Sequence, residues 1–122
     1  MENDRNKFKS EFKQRIYAWV LRLIRFINKL PKSTTHEVIG KQLLRSGTSI
    51  LANHVEAGSA SSKKDFANFF NYSLKSANES EIWLTLLGDL SVGNNDELNW
   101  LLRELKEISN IIARSIITIR KK

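Results

Sequence analysis

Apolar residues recur every three or four positions through most of this sequence, and that spacing restricts the fold more than any other feature. An α-helix turns about 100° per residue, so such a repeat collects apolar side chains on one face. No stretch alternates for long with the period of two that a half-buried strand requires. The pattern is clearest near the end of the chain, at Leu98, Leu101, Leu102, Leu105, Ile108, Ile112, Ile116 and Ile119. The sequence therefore predicts an all-α protein.

Breaks in this pattern divide the chain into four helical segments. Pro31, the only proline, ends the first segment because proline cannot donate to the helical hydrogen-bond ladder. A loop of small residues, 58–62, ends the second segment, and Gly93 precedes the fourth. Each later segment begins with residues that can cap its free N–H groups, and the expected pairs are Thr34 with Glu37, Ser62 with Asp65, and Asn94 with Glu97.

Helical wheels also give the predicted core. The first segment carries one apolar arc, formed by Phe8, Phe12, Ile16, Trp19, Val20, Leu23, Phe26, Ile27 and Leu30. The third carries Phe66, Phe69, Phe70, Ala77, Trp83, Leu84, Leu87 and Leu90. On the second, the small residues Ser46, Gly47 and Ala57 would let another helix approach closely. Helices joined by short loops pack most simply as antiparallel neighbours, so we predict an up-and-down four-helix bundle, with residues 1–122 forming one domain.

The sequence lacks the residue patterns of an active site. Cysteine is absent, which excludes disulfides, thiolate metal sites and cysteine nucleophiles together. His36 and His54 are separated along one predicted helix by roughly 27 Å, so they cannot share a metal. His54 lies among apolar residues, which favours a hydrogen-bonded histidine in the core or at an interface over one that transfers protons. We expect no enzymatic activity, no cofactor and no metal site.

Signals for export or membrane insertion are also missing. Residues 1–4 are polar, and no run approaches the roughly 18 uninterrupted apolar residues that a membrane span needs. The closest run, residues 16–30, is interrupted by Arg22, Arg25 and Asn28. We expect a cytoplasmic protein that does not engage a membrane.

Positive charge is concentrated in the first segment. The chain has a net charge of +7, and residues 1–32 hold nine Lys or Arg against three Asp or Glu. Five of these cations form a basic arc that the wheel places opposite the core, namely Lys7, Arg15, Arg22, Arg25 and Lys29. Cations repeated along a rigid helix can follow the phosphates of a nucleic acid. The basic arc therefore predicts RNA or DNA binding, and the alternative is a merely solvated surface.

A second set of apolar residues lies away from the predicted core. These residues are Ile82 and Leu86 on the third segment, and Trp100, Ile111 and Thr118 on the fourth. A monomer would leave a tryptophan and several aliphatic side chains in water. The pattern favours a homo-oligomer over isolated exposed apolar residues.

The second segment also carries a polar stripe, within an arc of about 80°. The stripe consists of Gln42, Arg45, Ser49, Asn53 and Glu56. Buried polar groups must find partners, so a structural hydrogen-bond network between helices or subunits is favoured over a ligand site.

These residues support a resemblance to a known family. The run from Gln42 to Ala57, with Lys63-Lys64-Asp65-Phe66, Lys75-Ser76-Ala77-Asn78-Glu79 and Leu30-Pro31-Lys32, resembles the four-helix-bundle proteins encoded in intervening sequences of bacterial 23S rRNA genes. The resemblance implies a ring-like pentamer with no established enzymatic activity, in which the polar stripe is structural. His54 stands where that family usually has an aliphatic residue. The chain is also similar to the accessory variability protein of diversity-generating retroelements, a basic pentamer that works with a reverse transcriptase and nucleic acid.

Taken together, the sequence predicts a non-enzymatic homo-oligomer, with a pentamer favoured, that binds RNA or other nucleic acid through the basic arc. The alternative is a protein-interaction scaffold or an accessory subunit for an enzyme such as a reverse transcriptase.

Overall fold

A computed structural model describes residues 4–91, 93 and 95–121, and within these residues there is no strand. Each helix contacts two others, because α1 and α3 both pack against α2 and α4. Short connections make successive helices antiparallel, which confirms the up-and-down bundle. The four helices are α1 (Asp4–Asn28), α2 (Thr34–Ala57), α3 (Lys63–Leu90) and α4 (Asp96–Lys121). None of the described helices is both long enough and apolar enough to span a bilayer.

The cap of α2 lies one residue earlier than the sequence predicted. Ser33 has an extended backbone, and its hydroxyl oxygen accepts a hydrogen bond from the His36 N–H. Thr34 is consequently the first helical residue and not the cap. Glu37, the expected partner in the capping box, forms an ion pair with Lys41 one turn later. Serine and threonine are both good N-caps, so the sequence alone could not show whether Ser33 or Thr34 caps the helix.

The caps of the last two helices follow the same chemistry. Ser62 caps α3 by accepting a hydrogen bond from the Asp65 N–H, as predicted. Asn94, the expected cap of α4, lies outside the described residues. The neighbouring Asn95 side chain accepts a hydrogen bond from the Leu98 N–H at 3.0 Å.

The core runs along the bundle axis and consists mostly of the predicted residues. The largest fully buried side chains are Ile16, Trp19, Leu23, Leu43, Ile50, Leu84, Leu101, Leu105, Ile108 and Ile112. Two predicted core residues, Phe8 and Leu90, are more than half exposed. Both lie close to a helix end.

Small residues allow α2 to pack closely against its neighbours. Ser46 and Ser80 are fully buried where α2 meets α3, and their hydroxyl oxygens are 2.8 Å apart. Ser73 donates to the carbonyl oxygen of Ile50 across the same junction. These hydrogen bonds satisfy polar groups in a dry interior while adding little volume.

Gly47 gives α1 a similar close approach to α2. A Cβ atom at this position would collide with Cδ2 of Leu23. The predicted close packing at Ser46 and Gly47 is therefore present, with Ser46 facing α3 and Gly47 facing α1.

Candidate nucleic-acid interface

The cations of α1 fall into two groups that the sequence did not separate. Arg15 and Arg22 lie against α4 and form ion pairs, whereas the wheel placed both opposite the core. Arg15 donates to the two carboxylate oxygens of Glu104 at 2.8 and 2.6 Å, and it also pairs with Glu107. Arg22 donates to both oxygens of Glu97 at 3.0 and 2.8 Å.

Arg22 also covers the tryptophan that the sequence placed in an oligomer interface. Its guanidinium carbon lies 3.5 Å from the centroid of the Trp100 ring, which is the geometry of a cation–π contact. Trp100 is half-buried and packs against the core. The prediction that a monomer would leave Trp100 in water is therefore corrected, because α1 already covers part of the ring.

Proton affinities in these pairs shift as expected for ion pairs. The hydrogen bond to Glu104 raises the pKa of Arg15, and the hydrogen bond to Glu97 raises the pKa of Arg22. The same two contacts lower the pKa of Glu104 and of Glu97. All four groups are charged at neutral pH, and each carboxylate offsets the positive charge of its arginine.

The other three members of the basic arc remain exposed. Lys7, Arg25 and Lys29 have no ion pair with any described residue. Arg25 and Lys29 line a cavity of about 620 Å³, together with His36 from the start of α2. Lys29 is close enough to Glu97 to contribute to its lowered pKa, after Arg22. This end of α1 therefore presents two exposed cations that form no ion pair with a described residue, beside a concave surface that Glu97 also lines.

Two further exposed lysines of α1, Lys9 and Lys13, belong to the other end of the bundle. Lys9 lines a groove described below, and the charge of Lys13 acts on His54. The wheel placed neither on the basic arc, and the sequence carried no signal for Lys9, because the exposure of the neighbouring Phe8 is seen only in the structure.

The polar stripe of α2 forms part of a surface network with α3. Arg45 donates to the side-chain oxygen of Gln42 and pairs with Glu79. Glu79 in turn accepts a hydrogen bond from the indole N–H of Trp83 at 3.0 Å. The sequence placed Trp83 in the core and did not identify its indole N–H as a partner of this network.

The rest of the stripe bonds within α2 or faces solvent. The Ser49 hydroxyl donates to the carbonyl oxygen of Arg45, and the Asn53 amide donates to that of Ser49. Glu56 is exposed. The structural role that the resemblance assigns to these three residues stays a prediction.

Exposed apolar side chains occur on all four helices. On α3, Ile82 and Leu86 are 57 % and 41 % exposed, which matches the surface that the sequence predicted for self-association. On α4, Ile111 is half-buried against the core, and the hydroxyl of the exposed Thr118 donates to the carbonyl oxygen of Arg114. A further exposed set, on α1 and α2, was missed by the sequence and comprises Tyr17, Leu21, Leu44 and Val55.

His54 lies in an aromatic cluster at the end of the bundle where α1 begins. Its ring centroid is 5.2 Å from that of Phe12, in an edge-on arrangement, and 5.5 Å from that of Phe70. Its Nδ1 atom is buried and has no hydrogen-bond partner among the described residues, whereas the sequence predicted a hydrogen-bonded histidine. Burial lowers the pKa of His54, and the charge of Lys13 lowers it further. The ring is therefore neutral at neutral pH.

No cluster of three or more His, Asp or Glu side chains with metal-binding geometry occurs within the described ranges. The structure thus defines a basic four-helix bundle with exposed cations on α1 and apolar patches on its outer faces.

Comparison with known proteins gives the family. The profile of the 23S rRNA-intervening sequence protein family matches residues 9–114, so the chain belongs to that family, and the resemblance seen in the sequence is confirmed. The chain is similar to the crystal structure of a protein with unknown function from the S23 ribosomal protein family of Bacteroides thetaiotaomicron VPI-5482. The two are 33 % identical, with a TM-score of 0.80 over 88 % of this chain and 96 % of that one. A search of curated proteins gave no match.

Proposed function

We propose that this protein is a non-enzymatic homo-oligomer, with a pentamer favoured, that binds RNA through phosphate contacts made by α1. The observation that carries the proposal is the pair of exposed cations Arg25 and Lys29, which form no ion pair with a described residue, beside the cavity at the end of that helix. Lys7 lies on the same face near the start of α1, and at 1.5 Å per residue it is about 33 Å from Lys29 along the helix axis. The ion-paired Arg15 and Arg22 contribute less, because their charge is already offset.

A symmetric ring would repeat these cations in every subunit. Contacts that are weak in one chain would then combine through multivalency, which raises affinity without any new contact. Each neutralised phosphate contributes about −0.7 to −0.9 to the slope of log affinity against log salt concentration. Binding should therefore be tight at low ionic strength and strongly weakened by salt.

The experiment compares two double variants that change net charge equally. Arg25→Gln with Lys29→Gln removes the proposed contacts, while Arg103→Gln with Lys106→Gln removes one arginine and one lysine from an exposed face of α4. Affinity for a structured RNA is measured over a range of salt concentrations. The first variant should weaken binding and flatten the salt slope by about 1.4 to 1.8 for each chain in contact, whereas the second should leave the slope close to that of the parent.

Equal effects of the two variants would mean that RNA responds only to total charge, and the α1 interface would then be rejected. If neither variant changes the affinity, α1 is a solvated surface and the protein-interaction scaffold takes its place. Both variants alter only exposed side chains without an ion pair, so circular dichroism should show the helix content of the parent.

Self-association is the second part of the proposal, and the exposed Ile82 and Leu86 support it. Substituting Trp100 or Ile111 would not test this cleanly, because both also pack against the core. Ile82→Glu with Leu86→Glu changes only exposed side chains and should convert the oligomer to a monomer in native mass spectrometry. Tyr17→Glu with Val55→Glu is the matched variant, because it places the same two charges on exposed apolar side chains of α1 and α2. A parent protein that is monomeric at tens of micromolar would refute the assembly.

A further inference from the structure

An aromatic groove opens at the end of the bundle where α1 begins and α4 ends. Its volume is about 1180 Å³, and all four helices contribute to its walls. Phe12 and Phe8 of α1 stack with ring centroids 6.3 Å apart, and Phe66 and Phe70 of α3 stack at 4.8 Å. The groove is therefore lined by flat apolar surfaces, of the kind on which another planar ring can stack.

Phe8 is the accessible member of this aromatic set. Its side chain is 54 % exposed, although the helical pattern assigned it to the core, and its ring stacks with that of Phe12. An exposed phenylalanine costs solvation free energy in the absence of a partner. The flanking residues Lys7 and Lys9 are both exposed cations. The start of α1 thus combines an aromatic ring with positive charge on either side.

The charge around the groove favours an anionic occupant. Lys9 of α1 and Arg114 of α4 line its rim, and no ion pair joins either to a described carboxylate. His54 adds no charge to the floor, because burial and Lys13 keep the ring neutral. An apolar floor below a cationic rim matches a ligand with a flat uncharged ring and an attached phosphate. A second copy of this chain, with its net charge of +7, would instead add to the positive charge at the groove.

We propose that this groove binds an unstacked nucleobase of single-stranded RNA, which stacks on Phe8 while Lys9 and Arg114 contact the adjoining phosphates. The proposal rests on the RNA-binding function above and adds a preference to it. Bases within a duplex are stacked and paired, so only an unpaired segment can place a base in the groove. The phosphate contacts on α1 would bind single-stranded and duplex RNA alike, whereas the groove would bind only single-stranded RNA.

The test uses a short single-stranded oligoadenylate and the same strand in a duplex, with affinity measured by fluorescence anisotropy. Phe8→Ala should weaken single-strand binding by about tenfold, because the base loses the aromatic side chain on which it stacks. Duplex affinity should not change. Tyr17→Ala is the matched control, since Tyr17 lies on the same helix, is also 54 % exposed and is outside the groove. Phe8→Tyr, which keeps the ring, should restore most of the binding.

The possible outcomes separate this inference from the proposed function. If both RNAs bind and Phe8→Ala changes neither affinity, the groove proposal is overturned while phosphate binding by α1 stands. Loss of both affinities in Phe8→Ala would also overturn it, because the effect would not depend on an unpaired base.

A titration with free adenosine monophosphate covers the case in which no RNA binds. Saturable binding that Phe8→Ala abolishes and Tyr17→Ala retains would support a site for a nucleotide base and its phosphate, although the proposed RNA function would have failed. If adenosine monophosphate does not bind either, the groove is not a nucleobase site.

Discussion

The α2–α3 and α1–α4 junctions hold the bundle together in different ways. Where α2 meets α3, short hydroxyl side chains are buried, and Ser46 and Ser80 hydrogen-bond to each other. Where α1 meets α4, long side chains bridge a wider separation, with Arg15 and Arg22 reaching carboxylates of α4. The one fully buried polar contact described at that junction joins the indole N–H of Trp19 to the carbonyl oxygen of Leu101, at 3.0 Å.

This difference shows how one bundle can contain a fixed and a more adaptable helix contact. Small buried residues define a single close distance between helices, because neither larger groups nor water fit there. Ion pairs between partly exposed side chains tolerate small displacements and contribute little free energy in water. We therefore expect the α2–α3 junction to determine the stability of the fold. The α1–α4 junction should respond to salt.

The largest effect is expected at the α2–α3 junction. Ser46→Leu would add a net two heavy atoms where the side chain has no exposed surface, forcing α3 away from α2. Overpacking of this kind lowers the free energy of unfolding by about 2 to 3 kcal/mol. Urea denaturation followed by circular dichroism measures the change. Ser49→Leu is the control, because Ser49 is on the same helix but is partly exposed, and it should lose less than about 0.5 kcal/mol. Similar losses in both variants would mean that the close junction has no special importance.

The sequence predicted one of these junctions far better than the other. The positions of Ser46, Gly47 and the apolar arcs depend on helical periodicity, which is visible in a single chain. The partners of Arg15 and Arg22 depend on which side of α1 the fourth helix occupies, and a wheel contains no such information. A long arginine near the edge of the apolar arc can face solvent or bridge to a neighbour. Only the arrangement of the helices determines whether the side chain faces solvent or forms a bridge.

His54 was predictable in position but not in chemistry. Its helical spacing with Ile50 placed it on the apolar arc, and the structure confirms this position. The missing partner of Nδ1 depends on residues from α1 and α3, whose approach cannot be read from α2 alone. The groove beside it was also hidden, because its walls come from segments far apart in the chain.

His54→Leu should change the free energy of unfolding by an intermediate amount. His54 lies beside the groove, toward the end of α2. Leucine removes a buried nitrogen without a hydrogen-bond partner, and leaving such an atom unsatisfied costs about 1 to 3 kcal/mol. Some ring contact with Phe12 and Phe70 is lost in exchange. We expect a net gain of about 1 kcal/mol in the free energy of unfolding near pH 8, measured by urea denaturation.

The same variant should also change the dependence of stability on pH. The pKa of His54 is lower in the folded protein than its ordinary value of about 6.5, so the unfolded chain binds the proton more readily. The parent should consequently lose stability as the pH falls below about 6.5, and His54→Leu should lose less. His36→Gln, which removes the other histidine, should retain the acid sensitivity of the parent, and a flat parent profile would contradict the assignment.

The smallest effect is expected at the α1–α4 junction. Arg15→Met keeps a long apolar stem against α4 and removes the charge that pairs with Glu104 and Glu107. Because the Arg15 side chain is 35 % exposed, solvent screens the pair, and the loss of stability should be no more than about 1 kcal/mol at low salt. The difference from the parent should shrink as sodium chloride is raised toward about 1 M, where the Debye length is only about 3 Å. Arg25→Met removes an exposed cation that forms no ion pair with a described residue, and it should change stability little at any salt concentration. A loss for Arg15→Met as large as that for Ser46→Leu, and insensitive to salt, would show that the α1–α4 junction depends on a desolvated ion pair. The two junctions would then be equally rigid. Salt would in that case leave the α1–α4 contact unchanged, so any effect of salt on RNA affinity would come from the RNA contacts and not from a change in the fold.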